Sequence, residues 1–146
     1  MKIRFLPIIT LLLCAFCSCS TGNEENKDEL EIQVLVDSFA TNYYCWRFKD
    51  AARFSTEKQT QYLQFLSSNV HESDIKTLTS SSERPEFTLG EIDITGETAI
   101  ATLKLSNIYQ MDSLGTAPQL CKEATHHLHL SKDNGEWRVE EVICNK

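Results

Sequence analysis

Apolar side chains in the first half of the chain recur at steps of three and four residues. After Glu29 they stand at Ile32, Leu35, Val36, Phe39, Tyr43 and Trp46. This spacing places them along one side of an α-helix, so the pattern predicts an amphipathic helix whose apolar stripe faces a core. A short helix or turn over 48–54, a third helix opening at the capping-box sequence 56–59, and one more helical turn over 74–78 are expected to follow.

After Pro85 the apolar period changes to two, which is typical of strands with one buried face. The alternating positions are Phe87, Leu89, Ile92 and Ile94, then Ala99, Ala101, Leu103, Leu105, Tyr109 and Met111, then Leu128 and Leu130, then Trp137, Val139 and Ile143. The first of these runs predicts a bulge near Gly90. Gly96 and the Asp-Asn-Gly sequence at 133–135 predict tight hairpin turns, because Asn and Gly tolerate positive φ.

Helices followed by hairpin-linked strands predict an α+β domain, with N-terminal helices packed on one face of a curved antiparallel sheet of four or more strands. The length of 146 residues fits one domain. Lys and Arg total 14 against 21 Asp and Glu, which gives a net charge of −7. A nucleic-acid binder needs a basic face, so we expect no nucleic-acid partner.

The N-terminus differs in kind from the rest of the chain. Lys2 and Arg4 precede an apolar run from Phe5 to Cys17. This run is shorter than the roughly 20 residues that a membrane-spanning helix needs. A positive start followed by such a run is typical of a secretory signal peptide, so the sequence predicts an exported protein.

The end of this run, Phe-Cys-Ser-Cys-Ser over 16–20, resembles the lipobox of bacterial lipoproteins. The resemblance implies that residues 1–18 form a cleaved signal peptide and that Cys19 becomes the lipid-modified first residue. Cys17 is the rival acceptor. An ordinary secretory signal with an incidental cysteine is the alternative.

A polar segment follows the cysteine. Residues 19–29 are expected to form a flexible tether between the lipid and a domain over 30–146. Ser20, where an Asp would signal retention, resembles lipoproteins of the Gram-negative outer membrane. Glu24 and Glu25 resemble the surface-export signal of Bacteroidota lipoproteins. These resemblances imply an outer membrane lipoprotein that faces the periplasm or the cell surface.

The order of elements, together with three segments, resembles a known superfamily. The segments are 39–44 (Phe-Ala-Thr-Asn-Tyr-Tyr), 46–52 (Trp-Arg-Phe-Lys-Asp-Ala-Ala) with Ser55 and Thr56 after it, and 133–139 (Asp-Asn-Gly-Glu-Trp-Arg-Val). They are similar to small lipoproteins of the nuclear transport factor 2-like (SnoaL-like, cystatin-like) superfamily. The resemblance implies a curved sheet around a long helix, forming a cone with a pocket at its open end. The superfamily contains isomerases, cyclases, dehydratases and non-catalytic binding domains, so the fold does not decide the function.

Isomerases of that superfamily use a pocket carboxylate as a base, opposite an acidic hydrogen-bond donor. Glu141 is the candidate carboxylate, because it shares strand parity with the inward residues of the last strand. Tyr43, Tyr109 or His126 could face it in the pocket. If the strand bulges after Val139, Glu141 lies in water instead.

The aromatic residues at the end of the first helix allow two interpretations. Tyr43, Tyr44 and Trp46 could line a ligand pocket, which favours aromatic walls, or could belong to the core. Tyr44 lies off the apolar stripe and is the ring expected to be exposed.

Two histidines on one strand suggest metal chemistry. His127 and His129 are two positions apart, so they project from one face, and Glu123, Glu140 or Cys144 could add a ligand. This face is opposite Leu128 and Leu130, so we expect exposed histidines and no dedicated metal site. We expect no cofactor.

Three cysteines remain after lipidation: Cys45, Cys121 and Cys144. Export to an oxidising compartment favours one disulfide and one free thiol. Cys121 and Cys144 share facial parity and form the favoured pair, provided that a bulge closes the gap between them. A pair between Cys45 and Cys144 is the alternative.

These inferences predict a lipid-anchored envelope protein whose domain binds a small molecule or another envelope protein without catalysis. The alternative is a small isomerase-like or hydrolase-like enzyme that uses a pocket carboxylate. A purely structural envelope component is the third possibility. The membrane, reached through lipid on Cys19, is the partner for which the sequence gives the most direct argument.

Overall fold

The computed structural model describes residues 21–145 of the chain and the side chains of residues 26–145. The signal peptide predicted over 1–18 and the lipid acceptor predicted at Cys19 lie outside the described residues, so both stay predictions. Among the helices of the described part, none is long and apolar enough to cross a membrane.

Helices come first along the chain and strands second, as the sequence predicts. The helices are α1 (Thr21–Tyr43), α2 (Phe48–Ala51), α3 (Glu57–Ser68) and α4 (Glu72–Ser80), with a 3-10 turn (Ala52–Phe54) between α2 and α3. The strands are β1 (Glu86–Thr95), β2 (Thr98–Gln110), β3 (Gln119–Asp133) and β4 (Glu136–Asn145). They form one antiparallel sheet in the order β1-β2-β3-β4, so each strand pairs with its chain neighbour. The predicted α+β class is confirmed.

The core lies between the apolar stripe of α1 and the inner face of the sheet. Ile32, Val36 and Phe39 are fully buried on α1, and Leu103 and Leu128 are fully buried on the sheet. Burying side chains of this size stabilises a fold by about 1.5–3 kcal/mol each. The stripe and the alternating strands are therefore two halves of one core.

Gly90 marks the bulge predicted in β1. The pairing of β1 with β2 shifts between Leu89 and Ile92. A Cβ at Gly90 would lie 3.3 Å from the carbonyl oxygen of Thr102, which is tighter than ordinary contact. Glycine lets the bulged strand approach its neighbour this closely.

A second bulge, in β4, changes which side chains point inward. Leu130 pairs with Val139, but His129 pairs with Glu141, so Glu140 is the extra residue. Beyond it the facial parity of β4 is inverted. Ile143, predicted to face inward with Val139, instead lines a shallow groove on the outer face beside His127 and His129.

The end of β2 also departs from simple alternation. Asn107 has a left-handed backbone with φ of 54°. Leu105 and Ile108 are both buried, whereas Tyr109 and Met111 are only half-buried. The regular alternation predicted from Leu105 to Tyr109 and Met111 is therefore broken at Asn107, because one left-handed residue resets it, although both residues still line a cavity at this end of the sheet.

Helix α1 extends further toward the N-terminus than the sequence pattern predicts. The described part of the predicted tether, residues 21–29, is helical. Asp28 accepts hydrogen bonds from the indole Nε1 of Trp137 at 3.1 Å and from Nζ of Lys132 at 3.0 Å. A polar sequence thus forms the first turns of α1, and its Asp28 is fixed to the β3–β4 hairpin.

Candidate functional site: an aromatic cavity at the open end of the sheet

A cavity of about 550 Å³ lies between the C-terminal end of α1, helices α2 and α3, and the ends of β2, β3 and β4. Its aromatic lining consists of Tyr43, Tyr44, Trp46, Phe48, Tyr62 and Tyr109. His126, Gln110 and Cys144 add polar atoms. Three of the predicted pocket residues, Tyr43, Tyr109 and His126, therefore meet here, and Glu141 does not.

Consecutive aromatic rings form a continuous wall of this cavity. The ring centroid of Tyr43 lies 5.1 Å from that of Tyr44 and 5.6 Å from that of Phe48. The ring of Trp46 continues the row at 5.9 Å from Phe48. These separations are those of favourable offset and edge-to-face pairs. The wall is thus a rigid unit built where α1 ends and α2 begins.

Trp46 reaches this wall through a left-handed backbone with φ of 58°, a rare conformation for so bulky a residue. Its backbone N–H donates to the carbonyl oxygen of Tyr43 at 3.0 Å. Its indole Nε1 donates to the carbonyl oxygen of Tyr109 at 3.1 Å. Such a conformation costs on the order of 1–3 kcal/mol and persists only where neighbouring contacts fix it. The two hydrogen bonds supply that fixation and join α1 to β2.

His126 forms the polar base of the cavity and is only 1% exposed. The amide nitrogen of Gln110 can only donate, so it donates to ring Nε2 of His126 at 2.9 Å. A neutral imidazole then carries its proton on Nδ1, which donates to the Tyr44 hydroxyl oxygen at 2.9 Å. Both ring nitrogens are satisfied, which explains how the histidine is buried without a charged partner.

Burial keeps this network uncharged. It lowers the pKa of His126 from its ordinary 6.5 to about 4, with a smaller contribution from His127. Burial also raises the pKa of the Tyr44 hydroxyl well above its ordinary 10. The thiol of Cys144 lies 3.8 Å from Nδ1 of His126, and burial raises the pKa of that thiol as well. At neutral pH the base of the cavity is polar and neutral.

The sequence interpretation of Tyr44 is wrong. Tyr44 is expected to be exposed because it lies off the stripe of α1, but it is 4% exposed. Helix α1 ends at Tyr43, so the helical stripe does not govern the next residue. The turn that follows rotates the Tyr44 ring onto His126, at a centroid distance of 5.6 Å. The sequence does not predict the role of Gln110 either, since nothing in the local pattern distinguishes a functional polar residue at a strand end from a solvated one.

Glu141, the candidate catalytic carboxylate, is exposed, and its backbone pairs with that of His129 on β3. The inward placement predicted from strand parity is wrong, and the structure shows the alternative: a bulge at Glu140, directly after Val139, inverts that parity and leaves Glu141 in water. Asp112 and Glu123 line the cavity instead, and both are exposed residues. The geometry therefore removes the specific enzyme hypothesis that rests on Glu141.

His127 and His129 project from the outer face of the sheet, as the sequence predicts. Nδ1 of His127 lies 3.1 Å from the hydroxyl of Thr102. Cys144, a third ligand considered in the sequence, lies on the opposite face, where its thiol approaches His126. Among the described side chains, those of residues 26–145, no three His, Cys, Asp or Glu groups lie together as a metal site requires.

The disulfide predicted between Cys121 and Cys144 does not form: both are free, as is Cys45. Cys144 pairs with His126, five positions along β3 from Cys121. At roughly 3.3 Å per strand residue, that places the Cα atoms much farther apart than the ~5.5 Å typical of a disulfide. The bulge in β4 moves Cys144 away from Cys121, and both thiols line the aromatic cavity instead.

No protein-family model matches the sequence, and no curated protein matches it. Solved structures resemble the fold. An NTF2-like protein of unknown function from Shewanella oneidensis MR-1 is 11% identical, with a TM-score of 0.55 over 82% of this chain and 99% of that one. A protein of unknown function from Mycobacterium tuberculosis is 14% identical, with a TM-score of 0.52 over 84% of this chain and 73% of that one. At these identities the likeness shows the fold alone: the domain has the NTF2-like cone fold expected from the sequence resemblance.

Proposed function

We propose that this protein is a lipid-anchored envelope protein whose cone-shaped domain binds a small, largely apolar molecule without transforming it. The observation that carries the binding proposal is the aromatic cavity with its neutral Tyr44–His126–Gln110 base. Ligand pockets are mostly apolar, with a few polar groups that fix orientation, and occupy about 300–1,000 Å³. The cavity of about 550 Å³ falls within that range.

Protonation states favour binding over proton-transfer catalysis. A general base works best with a pKa near the working pH. His126, with a pKa of about 4, is a weak base, and Gln110 already occupies its Nε2. The hydroxyl of Tyr44 has a raised pKa and is therefore a weak acid. The Tyr44, His126 and Gln110 side chains at the bottom of the cavity bind one another and can orient a ligand.

A cavity-filling substitution tests the binding proposal. Ala124 lines the cavity, whereas Thr125, its neighbour on β3, is exposed. We expect Ala124→Phe to weaken binding of the neutral fluorescent probe N-phenyl-1-naphthylamine at least tenfold, because the added ring occupies the cavity. Thr125→Phe adds the same ring elsewhere and is expected to bind like the unmodified protein. Equal binding by both variants, with unchanged circular dichroism, would contradict the proposal.

The anchoring proposal rests on the lipobox resemblance at Cys19. Cys19→Ser is expected to abolish incorporation of labelled palmitate and to move the protein from the membrane fraction to the periplasm. Cys17→Ser, a matched change two residues earlier, is expected to leave both unchanged. Full lipid labelling of Cys19→Ser would overturn this part.

A further inference from the structure

Charge around the aromatic cavity is entirely of one sign among its described lining residues. Asp112 and Glu123 line it, and no Lys or Arg does. The nearby Lys122 forms a salt bridge with Glu83, whose carboxylate oxygen lies 2.9 Å from Nζ. An anionic ligand would meet repulsion at the mouth without a compensating cation, whereas a cationic ligand would be attracted.

The aromatic wall favours the same charge. A cation within about 6 Å of a ring centroid is attracted by the negative face of the ring, most strongly for Trp. The indole N–H of Trp46 is already donated to the carbonyl oxygen of Tyr109, so the ring offers its faces rather than a donor. Tyr43 and Phe48 extend that surface in the same row.

Several polar atoms at the cavity are acceptors only, beside the hydroxyls of Tyr43, Tyr62 and Tyr109, which can donate or accept. Because Gln110 directs its amide nitrogen at His126, its carbonyl oxygen is the atom of that side chain left for a ligand. The carboxylates of Asp112 and Glu123 only accept when ionised. A ligand that donates hydrogen bonds from a charged nitrogen would satisfy these atoms, and a carboxylate-bearing ligand would not.

We infer that the molecule bound in the aromatic cavity is an organic cation, an ammonium group on an apolar or aromatic body. This inference rests on the proposed binding function and names the chemical class of its ligand. Three features of one cavity carry it: an aromatic wall whose Trp46 donor is occupied, two exposed acidic residues among the lining, and a neutral Tyr44–His126–Gln110 network that adds no competing positive charge. The ammonium group would lie between the wall and the mouth carboxylates, with the apolar body toward the base.

Three probes of equal size and different charge test the inference. They are 3-phenylpropan-1-amine, which is protonated at neutral pH, 3-phenylpropan-1-ol, which is neutral, and 3-phenylpropanoate, which is an anion. We expect the amine to bind about tenfold more tightly than the alcohol and the propanoate to bind weakest. Dissociation constants can be measured by NMR titration, following the resonances of Tyr44 and His126. Benzyltrimethylammonium, which cannot donate a hydrogen bond, measures the contribution of the aromatic wall.

Removing the mouth charges gives the matched test. Asp112→Asn with Glu123→Gln is expected to weaken amine binding about three- to tenfold and to weaken alcohol binding by a smaller factor, because the alcohol carries no charge. Asp93→Asn with Glu97→Gln removes the same charge from exposed positions on and after β1, and is expected to change neither. This pair separates attraction at the mouth from the net acidity of the whole chain.

The outcomes separate the charge of the ligand from ligand binding itself. If the alcohol or the propanoate binds as tightly as the amine at Tyr44 and His126, the charge assignment is overturned and the binding function stands. If both double variants weaken the amine equally, the mouth carboxylates do not select the cation, and the inference is again overturned. If none of the probes perturbs these resonances, the binding function itself fails.

Discussion

The hydroxyl oxygen of Tyr44 and Nδ1 of His126 lie 2.9 Å apart, across 82 positions of sequence. This hydrogen bond joins the residue that follows α1 to the inner face of β3. It places a tyrosine directly after a helix in contact with a histidine that Gln110 holds from the other side. The polarity at the bottom of the cavity follows from this contact, and its neutral charge follows from the burial that lowers the pKa of His126.

Tyr44→Phe is expected to lower the free energy of unfolding by about 1–3 kcal/mol, because it leaves the Nδ1–H of a buried imidazole without an acceptor. Urea denaturation measures the change. Tyr62→Phe removes a hydroxyl from a half-exposed ring and is the control, expected to shift stability by less than about 0.5 kcal/mol. Equal effects from the two variants would show that the Tyr44 hydroxyl does not stabilise the base.

Acid should destabilise the protein between about pH 6.5 and pH 4. The pKa of His126 is about 4 in the folded state and 6.5 as its ordinary value, so below pH 6.5 the unfolded chain binds a proton that the folded chain does not. Stability therefore falls as the pH falls through this window, by up to about 3 kcal/mol, and becomes level for this group below it.

NMR titration of the His126 ring and urea denaturation against pH measure this effect. His126→Gln is expected to lose the pH dependence within the window. Asp28 does not account for a change in this window, because hydrogen bonds from Lys132 and Trp137 hold its pKa below the ordinary 3.8. The contribution of this carboxylate to stability is lost only at lower pH. A His126 ring that titrates near its ordinary value would contradict the buried, neutral assignment.

Asp28→Asn is expected to destabilise the domain by about 1–2 kcal/mol, because it removes the charge that accepts from Lys132 and Trp137. The side chains of Lys132 and Asp28 are 24% and 19% exposed, so solvent screens the pair only in part. Asp37→Asn makes the same change at an exposed position of α1. If Asp37→Asn costs as much in thermal denaturation, the contact with the hairpin contributes nothing specific.

The three cysteines of the described domain should all remain thiols in the purified, oxidised protein. Intact mass after alkylation without reductant is expected to show labels on Cys45, Cys121 and Cys144. Cys144 should react more slowly than in the denatured chain, because burial raises the pKa of its thiol and lowers its thiolate fraction. N-phenyl-1-naphthylamine should slow it further by occupying the cavity. A Cys121–Cys144 disulfide in that mass spectrum would contradict the register of β4.

Glu141→Gln should leave ligand affinity unchanged, because this carboxylate lies outside the cavity on the outer face of the sheet. Titration with 3-phenylpropan-1-amine measures the affinity. Glu123→Gln is the comparison, with the same chemical change on a cavity-lining residue. A larger loss of affinity in Glu141→Gln than in Glu123→Gln would contradict the placement of Glu141 on the outer face.

Much of the architecture follows from the sequence, because the spacing of apolar residues indicates which face of a helix or strand is buried. The stripe of α1, including Ile32 and Phe39, is buried as its spacing predicts. The turn at Asn134 and Gly135 has positive φ at both positions, as its residues favour. The bulge at Gly90 also shows in the sequence, since apolar parity changes there. The resemblance of the aromatic and Trp-containing segments indicated the cone fold, which solved structures share.

The sequence predicts only part of the candidate site. The sequence predicts Tyr43, Tyr109 and His126 as pocket residues, and all three line the cavity. The sequence leaves the placement of Glu141 open, because the apolar pattern of β4 is compatible with either face after Val139, and only pairing with β3 decides it. The burial of Tyr44 and the role of Gln110 do not follow from the sequence, since each depends on His126, a partner distant along the chain.

The sequence by itself determined the order of helices and strands, the alternation that builds the core, and the N-terminal segment that predicts export and lipidation at Cys19. These features depend on neighbours a few residues apart. Only the tertiary structure decided the inward face of β4, the burial of Tyr44 and the neutral state of His126. The reason is that a single bulged residue, or one left-handed residue such as Trp46, redirects every side chain beyond it, and the contacts that stabilise such a residue come from other strands and helices.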